Sequence, residues 1–524
     1  MTVEVKIPVA GSRTTGPFPV HAAQLAVELG KLDENAVCAR FVIPAEARLL
    51  KTTVSVCSTC IQPVPAAVFE QEGRVLMHRE CATHGRQRTL LENDVRFYRI
   101  SSRDRHGAVF ADDLRMEWPA YQAAGNSRCG PKGCGPSRKE AWTEDFHDQR
   151  SNKSCTVLIE VTDACNLACH VCYADSRGDR ILPLEQYKQY LQQLLEQKNG
   201  LDSVQITGGE ASLHPQFWEI LEWTCAQDGI TRVYLPTNGI EFSRPENIRR
   251  LKAWRHKLLV LLQLDGADVQ TNKALRAANP LKPKLRLIKG LDRQRVPMQL
   301  TMTLAEGVSE NEIAWVVKQG MKHRNVRLVA ILPAFHTGRY EIARDPLKRL
   351  TLSDAIKGVA AGFAPRVSEK DFMAIPCSHP NCGWTTLFAR RFGLIFNIAK
   401  HVDLDAAMSD AAYKTMLRKS ELRSLVGTRL QGFGKQVLAW LGRRLIRPQD
   451  IFGIVVKPFM DRDTFDYDRV ANCCHHMLDT EGRLMSFCEY NVRKREQDDW
   501  RKLLRMDDVA RRRTTAGGKP YAGD

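Results

Sequence analysis

Cys165-Asn-Leu-Ala-Cys169-His-Val-Cys172 places three thiols within eight residues, just after the apolar run VLIEVT. Three thiolates so spaced can wrap three corners of an iron–sulfur cubane and leave its fourth iron without a protein ligand, unlike the four-thiolate ligation of electron-transfer clusters. An open coordination position is what separates a catalytic metal from a structural one. Zinc binding, or packing of the thiols in a loop, is the competing reading. Further along, Gly208-Gly209-Glu210 follows the run QIT, Thr237-Asn238-Gly239 follows RVYLP, and Gln263 and Asp265 lie in LLQLDG. Two glycines let backbone approach a ligand closely, and a carboxylate pairs with an ammonium. For Asn238 and Asp265 ordinary turn chemistry is the alternative.

The other cysteines are grouped as well. Cys57 and Cys60 form a C-x-x-C, followed by Cys81-Ala-Thr-His84; Cys129 and Cys134 share the loop SRCGPKGCGPS, and Cys155 follows a polar linker. Cys377 and Cys382 share IPCSHPNCGW, and Cys473, Cys474 and Cys488 lie near the C-terminus, whereas Cys38 and Cys225 stand alone and read as small buried hydrophobes. The N-terminus has no basic segment followed by an apolar one, and the stretch around Leu258 to Leu264 is too short to span a bilayer. The expectation is a cytoplasmic chain whose clustered thiols are reduced and ligate metal.

These residues need a scaffold. The chain has 524 residues, 43% hydrophobic and 26% charged, an ordinary globular composition that excludes a disordered or fibrous protein. Its length predicts roughly two to four domains. From Cys155 to about Arg344 short β-rich runs alternate with amphipathic stretches such as LEQYKQYLQQLLEQ: TVLIEVT, SVQITGG, RVYLPTNG, LLVLLQLDG, MQLTMTL and VRLVAILPA. Strand–helix alternation implies an α/β fold with a parallel sheet or barrel, here with six units. Each motif then lies at a strand C-terminus, where such barrels keep their active sites. The expected division is a cysteine-rich domain over 1–150, a partial (β/α)6 barrel over 151–347, and a mainly helical cysteine-bearing domain over 348–524.

The triad followed by Tyr173, with Gly208-Gly209-Glu210 one βα unit later, resembles the radical S-adenosylmethionine (SAM) superfamily. That resemblance implies a four-iron cluster on Cys165, Cys169 and Cys172, and SAM held by Gly208, Gly209 and Glu210 at its amino group, with Thr237, Asn238, Gln263 and Asp265 at ribose and carboxylate. It also implies reductive cleavage of SAM to methionine and a 5′-deoxyadenosyl radical that removes hydrogen from an unactivated carbon, with an electron donor such as flavodoxin or ferredoxin. DFMAIPCSHPNCGWTT, LPAFHTGRY and CCHHMLDTEGRLMSFCEYN are similar to segments of the branch that contains archaeal tetraether lipid synthase and pterin methyltransferases. Carried over, Cys377, Cys382, one or both of Cys473 and Cys474, and Cys488 would bind an auxiliary cluster. Cys57, Cys60 and Cys81 would bind a mononuclear iron or zinc, with its fourth ligand open: His84 has zinc-ribbon spacing, whereas a rubredoxin-like iron would want another thiolate. Cys129 and Cys134 belong to a middle cluster site in which Ser137 replaces the usual third cysteine; Cys155 or His147 could substitute, or that cluster is lost.

Three function classes follow. The first is a lipid synthase-like enzyme that joins hydrocarbon chains by a C–C bond. The second is a methyltransferase acting on a pterin or similar heterocycle; a cobalamin-dependent form is disfavoured, because Asp104-Arg-His106-Gly107 only superficially resembles a cobalamin motif. The third is a non-catalytic metal-binding interaction protein, against which the triad and Gly208-Gly209-Glu210 argue. Lys+Arg 77 against Asp+Glu 60 gives +17, but without an aromatic-basic platform no nucleic acid partner is expected. From Tyr413 to Gln449 nine Lys/Arg face one acidic residue at helical apolar spacing. That segment reads as an amphipathic helix on an anionic membrane, and equally as a solvated basic helix.

Overall fold

The computed structural model describes residues 17–102, 154–375, 379–391, 394–399, 447–471 and 473–507. Cys129, Cys134, Ser137, Cys377, the Asp104–Gly107 segment and most of the basic segment therefore lie outside the described residues.

After two helices, Pro17–Gly30 and Glu34–Phe41, four strands form an antiparallel sheet in sequence order: β1 (Arg48–Val56), β2 (Pro63–Gln71), β3 (Arg74–Cys81) and β4 (Gly85–Glu92). The sheet is tied to the C-terminal part by buried charges. Lys51 Nζ reaches Asp466 at 2.7 Å and Asp468 at 2.9 Å, and Thr53 Oγ1 donates to Asp466 at 2.6 Å. At its other edge Glu92 accepts from Thr351 Oγ1 and Ser353 Oγ, both at 2.5 Å, at the start of the helix Leu352–Phe363.

Burial, offset by those hydroxyl donors, pushes the Glu92 carboxyl up to about 7. The folded state thus holds a proton that the unfolded state has released. Stability falls as pH rises from about 4.5 to about 7, by roughly 3 kcal/mol at most. Glu92→Gln should flatten this dependence in urea unfolding at pH 5 and pH 8. Equal pH slopes for the two proteins would show that Glu92 is not the titrating group.

The six β-rich runs are strands: β5 (Thr156–Glu160), β6 (Leu201–Thr207), β7 (Ile230–Thr237), β8 (Leu258–Gln263), β9 (Met298–Leu304) and β10 (Val326–Pro333). They pair in parallel in that order. β5 is buried throughout, and burial alternates along β8 and β9: in β8, Leu258, Val260 and Leu262 are buried against the helical layer, while Leu259, Leu261 and Gln263 face inward. The helix Leu184–Lys198 buries Tyr187, Tyr190, Leu191 and Leu194, one stripe at helical spacing, and ends in left-handed Asn199.

Among the described residues of the C-terminal part, strands are present where a mainly helical domain is expected. β11 (Trp384–Arg391), β12 (Ile451–Val456), β13 (His475–Leu478) and β14 (Leu484–Ser486) join the same sheet. β12 pairs in parallel with β10, and β13 in parallel with β5. The six-unit sheet is therefore extended by a parallel strand at each edge and does not stop at residue 347. The short apolar run IFGIVV at β12 is fully consistent with a buried parallel strand, and periodicity alone does not separate such runs from buried helix.

Candidate active site

The loop after β5 carries the triad, and two glycines brace it. Gly209 N donates to Thr162 O and Glu210 N to Ala164 O, each at 2.8 Å. Gly208 has φ +144°, and a Cβ there would collide with the Thr162 carbonyl oxygen; one on Gly209 would collide with that of Ala164. The Gly-Gly pair is thus what lets the two loops lie backbone to backbone.

Cys165, Cys169 and Cys172 all line one cavity of about 530 Å³ with Gly208, Gly209, Glu210, Thr237, Asn238 and Gln263. Burial first, then the negative charges of Glu210, Cys169 and Cys172, push the Cys165 thiol up to about 12. A thiolate there needs a bound cation, as the donor set of an iron cluster requires.

Glu210 is buried and accepts from Thr237 Oγ1 at 2.8 Å, Asn238 N at 2.8 Å and Ser212 Oγ at 2.9 Å. Burial raises its carboxyl pKa against these donors. No cation pairs with it among the described residues, so an incoming ammonium would supply the missing counter-charge. Asn238 Nδ2 also donates to Asn166 Oδ1 at 2.7 Å, joining the β7 loop to the cysteine loop.

Asp265 differs from expectation. It is fully buried and does not line the cavity; Arg276 binds it through Nε and a terminal nitrogen, both at 2.8 Å, and Thr303 N donates to it at 3.0 Å. The Arg276 guanidinium also lies within hydrogen-bonding reach of the Cys169 thiol. Asp265 therefore holds Arg276, and Arg276 faces the cluster loop. Nothing in the spacing singled out Arg276. Gln263 does reach the cavity, and its Oε1 accepts from Lys284 Nζ at 2.6 Å.

Gly338 and Arg339, within LPAFHTGRY, also support the triad. Arg339 Nε donates to Cys169 O at 2.5 Å, and Gly338 has φ +55° with its Cα against the Cys172 and Tyr173 carbonyls. Tyr173, Phe335, Phe459 and Phe487 form a contiguous aromatic wall with centroid separations of 4.6 to 6.4 Å.

The N-terminal sheet carries a second centre. The ligand atoms of Cys57, Cys60, Cys81 and His84 all lie within 4.8 Å of one another. His84 Nδ1 is 3.6 Å from Cys57 Sγ and 3.5 Å from Cys81 Sγ, so the fourth position left open by the sequence is met by His84. Three sulfurs and one nitrogen fit a tetrahedral zinc or iron. His84→Ala should release that metal while leaving iron elsewhere in the chain, read by elemental analysis after gel filtration. Full retention would remove His84 from the ligand set.

In the C-terminal part Cys382, Cys473 and Cys488 interact with one another, and Arg469 lies beside Cys382 and Cys488. Its Nε donates to Cys382 Sγ at 3.4 Å, and its charge also acts on Cys488. Burial pushes Cys473 up to about 11 and Cys488 up to about 12. The adjacent Cys474 has its Sγ 2.7 Å from that of Cys155, and Cys155 also acts electrostatically on Cys473. Among the described residues no helix is long and apolar enough to cross a membrane.

A parallel α/β sheet with this thiol triad above its strand C-termini defines a radical SAM domain, and residues 159–319 match the family described as the Radical SAM superfamily. The chain carries that domain, which takes a four-iron cluster and SAM. Residues 49–93 match the HMPTM N-terminal zinc ribbon domain. Over 522 residues the chain is 24% identical to 7,8-dihydro-6-hydroxymethylpterin dimethyltransferase of Methanocaldococcus jannaschii, covering 87% of this chain and 98% of that protein. It is 33% identical over 120 residues to the Bacillus subtilis antilisterial bacteriocin subtilosin biosynthesis protein AlbA, covering 22% of this chain and 26% of that one. The solved structure of Streptococcus suis SuiB bound to S-adenosylmethionine aligns with TM-score 0.35 and 19% identity over 40% of this chain and 47% of that one.

Proposed function

We propose that this radical SAM enzyme acts on an unactivated C–H position of a hydrocarbon chain, joining lipid chains by a C–C bond. The observation that carries this reading is the cavity wall. Leu158, Leu259, Leu261, Leu328, Leu332 and Phe335 dominate it, and Glu210 is the single carboxylate among its described residues. Glu210 is committed to the SAM end of the cavity by its hydrogen bonds to the Thr237 and Asn238 loop. A largely apolar wall suits a chain terminus, whereas a pterin edge rich in N–H donors would be met there only by neutral groups such as Gln205, Gln299 and Thr301.

Cys165, Cys169 and Cys172 would hold the cluster, and Glu210 would take the methionyl ammonium. Thr237 and Asn238 orient that carboxylate, Gln263 offers an amide to the cofactor, and Asp265 fixes Arg276 beside Cys169. When bound to Cys165, Cys169 and Cys172, the cluster would supply the electron for reductive SAM cleavage, taken from an external donor such as flavodoxin or ferredoxin. The aromatic wall from Tyr173 to Phe487 keeps water from the reacting carbon. Cys382, Cys473 and Cys488 would bind an auxiliary cluster whose negative charge Arg469 offsets.

The full-length similarity to the pterin dimethyltransferase favours a second reading, radical methyl transfer to a heterocycle. Mass spectrometry of cells expressing the gene separates the two: loss of two hydrogens per coupled chain pair supports chain joining, and added methyl mass on a pterin supports methyl transfer. Both readings require 5′-deoxyadenosine from the reconstituted protein with dithionite. Cys169→Ala should abolish that product yet spare the other iron, and undiminished product would end both.

A further inference from the structure

The helix Leu281–Arg293 carries a stripe of charge that the site described above does not use. Between Val269 and Arg295 eight Lys/Arg face one acidic residue, Asp292. Asp292 is occupied by Asn325, whose backbone N and side-chain amide both donate to it at 2.9 Å. Lys282, Arg286, Lys289 and Arg293 recur at alternating steps of four and three, which puts them on one helix face, and all four are exposed. At 1.5 Å per residue that stripe is roughly 17 Å long. Lys273, on the preceding helix Val269–Arg276, is exposed as well. None of these five cations forms an ion pair among the described residues.

The stripe begins beside the triad. Lys284, on the buried face of the same helix, donates to Gln263 Oε1 at 2.6 Å, and its charge interacts with Cys169. Leu275, next to Arg276, accepts from His170 N at 3.1 Å, so the end of the helix Val269–Arg276 is fastened to the cluster loop. That loop reaches solvent at Asn166 and Ala168. Lys273 and Lys282 thus stand within one helical turn of Arg276 and Lys284, which border Cys169. The other flank of the loop is balanced: Arg177 pairs with Asp175 and Glu341, and Arg339 with Asp175. Positive charge without a local counter-charge therefore lies on the flank formed by the two helices.

We propose that this flank is the docking surface for a small acidic electron-transfer protein, of the flavodoxin or ferredoxin type, that reduces the cluster on Cys165, Cys169 and Cys172. The proposal rests on the reading that an external donor charges that cluster, and it holds for either substrate. One electron leaves the donor, a flavin hydroquinone becoming a semiquinone, and enters the cluster; no bond or proton is exchanged. Encounters of this kind use small interfaces and long-range charge attraction, which a row of exposed cations supplies. An anionic membrane fits less well, because the apolar face of the helix, Leu287, Ile288 and Leu291, is buried in the core and leaves nothing to insert. Residues 269–295 contain no aromatic side chain to stack on a nucleic acid base.

The test uses the full chain, reconstituted anaerobically with iron and sulfide. Reduction by flavodoxin hydroquinone is freeze-quenched and read as the EPR signal that SAM perturbs, which reports the triad cluster alone. Dithionite, a small reductant that needs no docking, is run in parallel. Lys273→Gln, Lys282→Gln and Arg286→Gln combined should slow flavodoxin-driven reduction about tenfold at low salt and flatten its dependence on ionic strength, because steering of this kind contributes about 10- to 1000-fold to association. Reduction by dithionite should be unchanged, which shows that the cluster is intact. Lys318→Gln with Lys322→Gln, which removes exposed charge from another helix, should change neither rate. A flavodoxin-driven rate within twofold of wild type, an equal loss in that second variant, or a wild-type protein that dithionite reduces and flavodoxin does not would each overturn the proposal. Loss of binding to phosphatidylglycerol vesicles with unchanged flavodoxin kinetics would assign the stripe to a membrane instead. Absence of any SAM-sensitive signal with dithionite would sink the cluster reading itself, and this proposal with it.

Discussion

Glu210→Gln is expected to weaken SAM binding by about 100-fold or more while the four-iron cluster still assembles. The carboxylate is buried, receives only neutral donors from Thr237, Asn238 and Ser212, and has no cation beside it among the described residues. The glutamine keeps size and most hydrogen-bonding geometry but leaves the ligand's ammonium unpaired in a desolvated place. Breaking a buried charge pair on one side costs about 3 to 5 kcal/mol, and every 1.4 kcal/mol is tenfold in affinity. Isothermal titration with SAM on the reconstituted protein reads the loss, and the iron content and visible spectrum report the cluster separately. Affinity within threefold of wild type would show that the ammonium binds elsewhere.

Gly208→Ala should cut 5′-deoxyadenosine formation by about 100-fold with only a small change in melting temperature. The added Cβ meets the Thr162 carbonyl oxygen, and φ +144° is a backbone conformation that alanine rarely adopts. Such strain costs on the order of 1 to 3 kcal/mol, too little to unfold a large core. It is relieved by moving the two loops apart, and Thr162 lies three residues before Cys165. A displacement of about 1 Å at reacting groups can cost roughly 100-fold in rate. The assay pairs product release with thermal unfolding. Normal product with normal stability would mean that the loops tolerate separation, and a collapse of stability would assign Gly208 to folding rather than to the site.

Much of the site was legible in local spacing. The triad, the Gly-Gly-Glu turn and the Thr237-Asn238 turn each follow an apolar run, and those runs are strands β5, β6 and β7 of a parallel sheet. Parallel strands are buried on both sides and so read as continuous apolar segments, and their loops must emerge at one end. Asp265 was legible as a residue near the site but not in its role. Its partner Arg276 lies in a separate helix, and their pairing is created by burial, which a linear spacing does not encode.

The C-terminal third shows the limit most plainly. IFGIVV is a strand by composition, but its place beside β10, and that of His475–Leu478 beside β5, depend on which sheet edges were left open. Likewise the adjacent Cys473 and Cys474 looked alike in sequence. In the extended chain entering β13 neighbouring side chains point to opposite sides. Cys473 interacts with Cys382 and Cys488, and the Cys474 sulfur lies beside that of Cys155, which also acts on Cys473. By itself the sequence determined the thiol groups, the six βα units and the chemistry of an open iron site, because those depend on residue type and short-range order. Tertiary structure decided that His84 joins the ribbon site, that Asp265 holds Arg276, and that Cys474 meets Cys155, because side-chain contacts are set by burial and strand pairing rather than by residue order, in the last case across 319 positions.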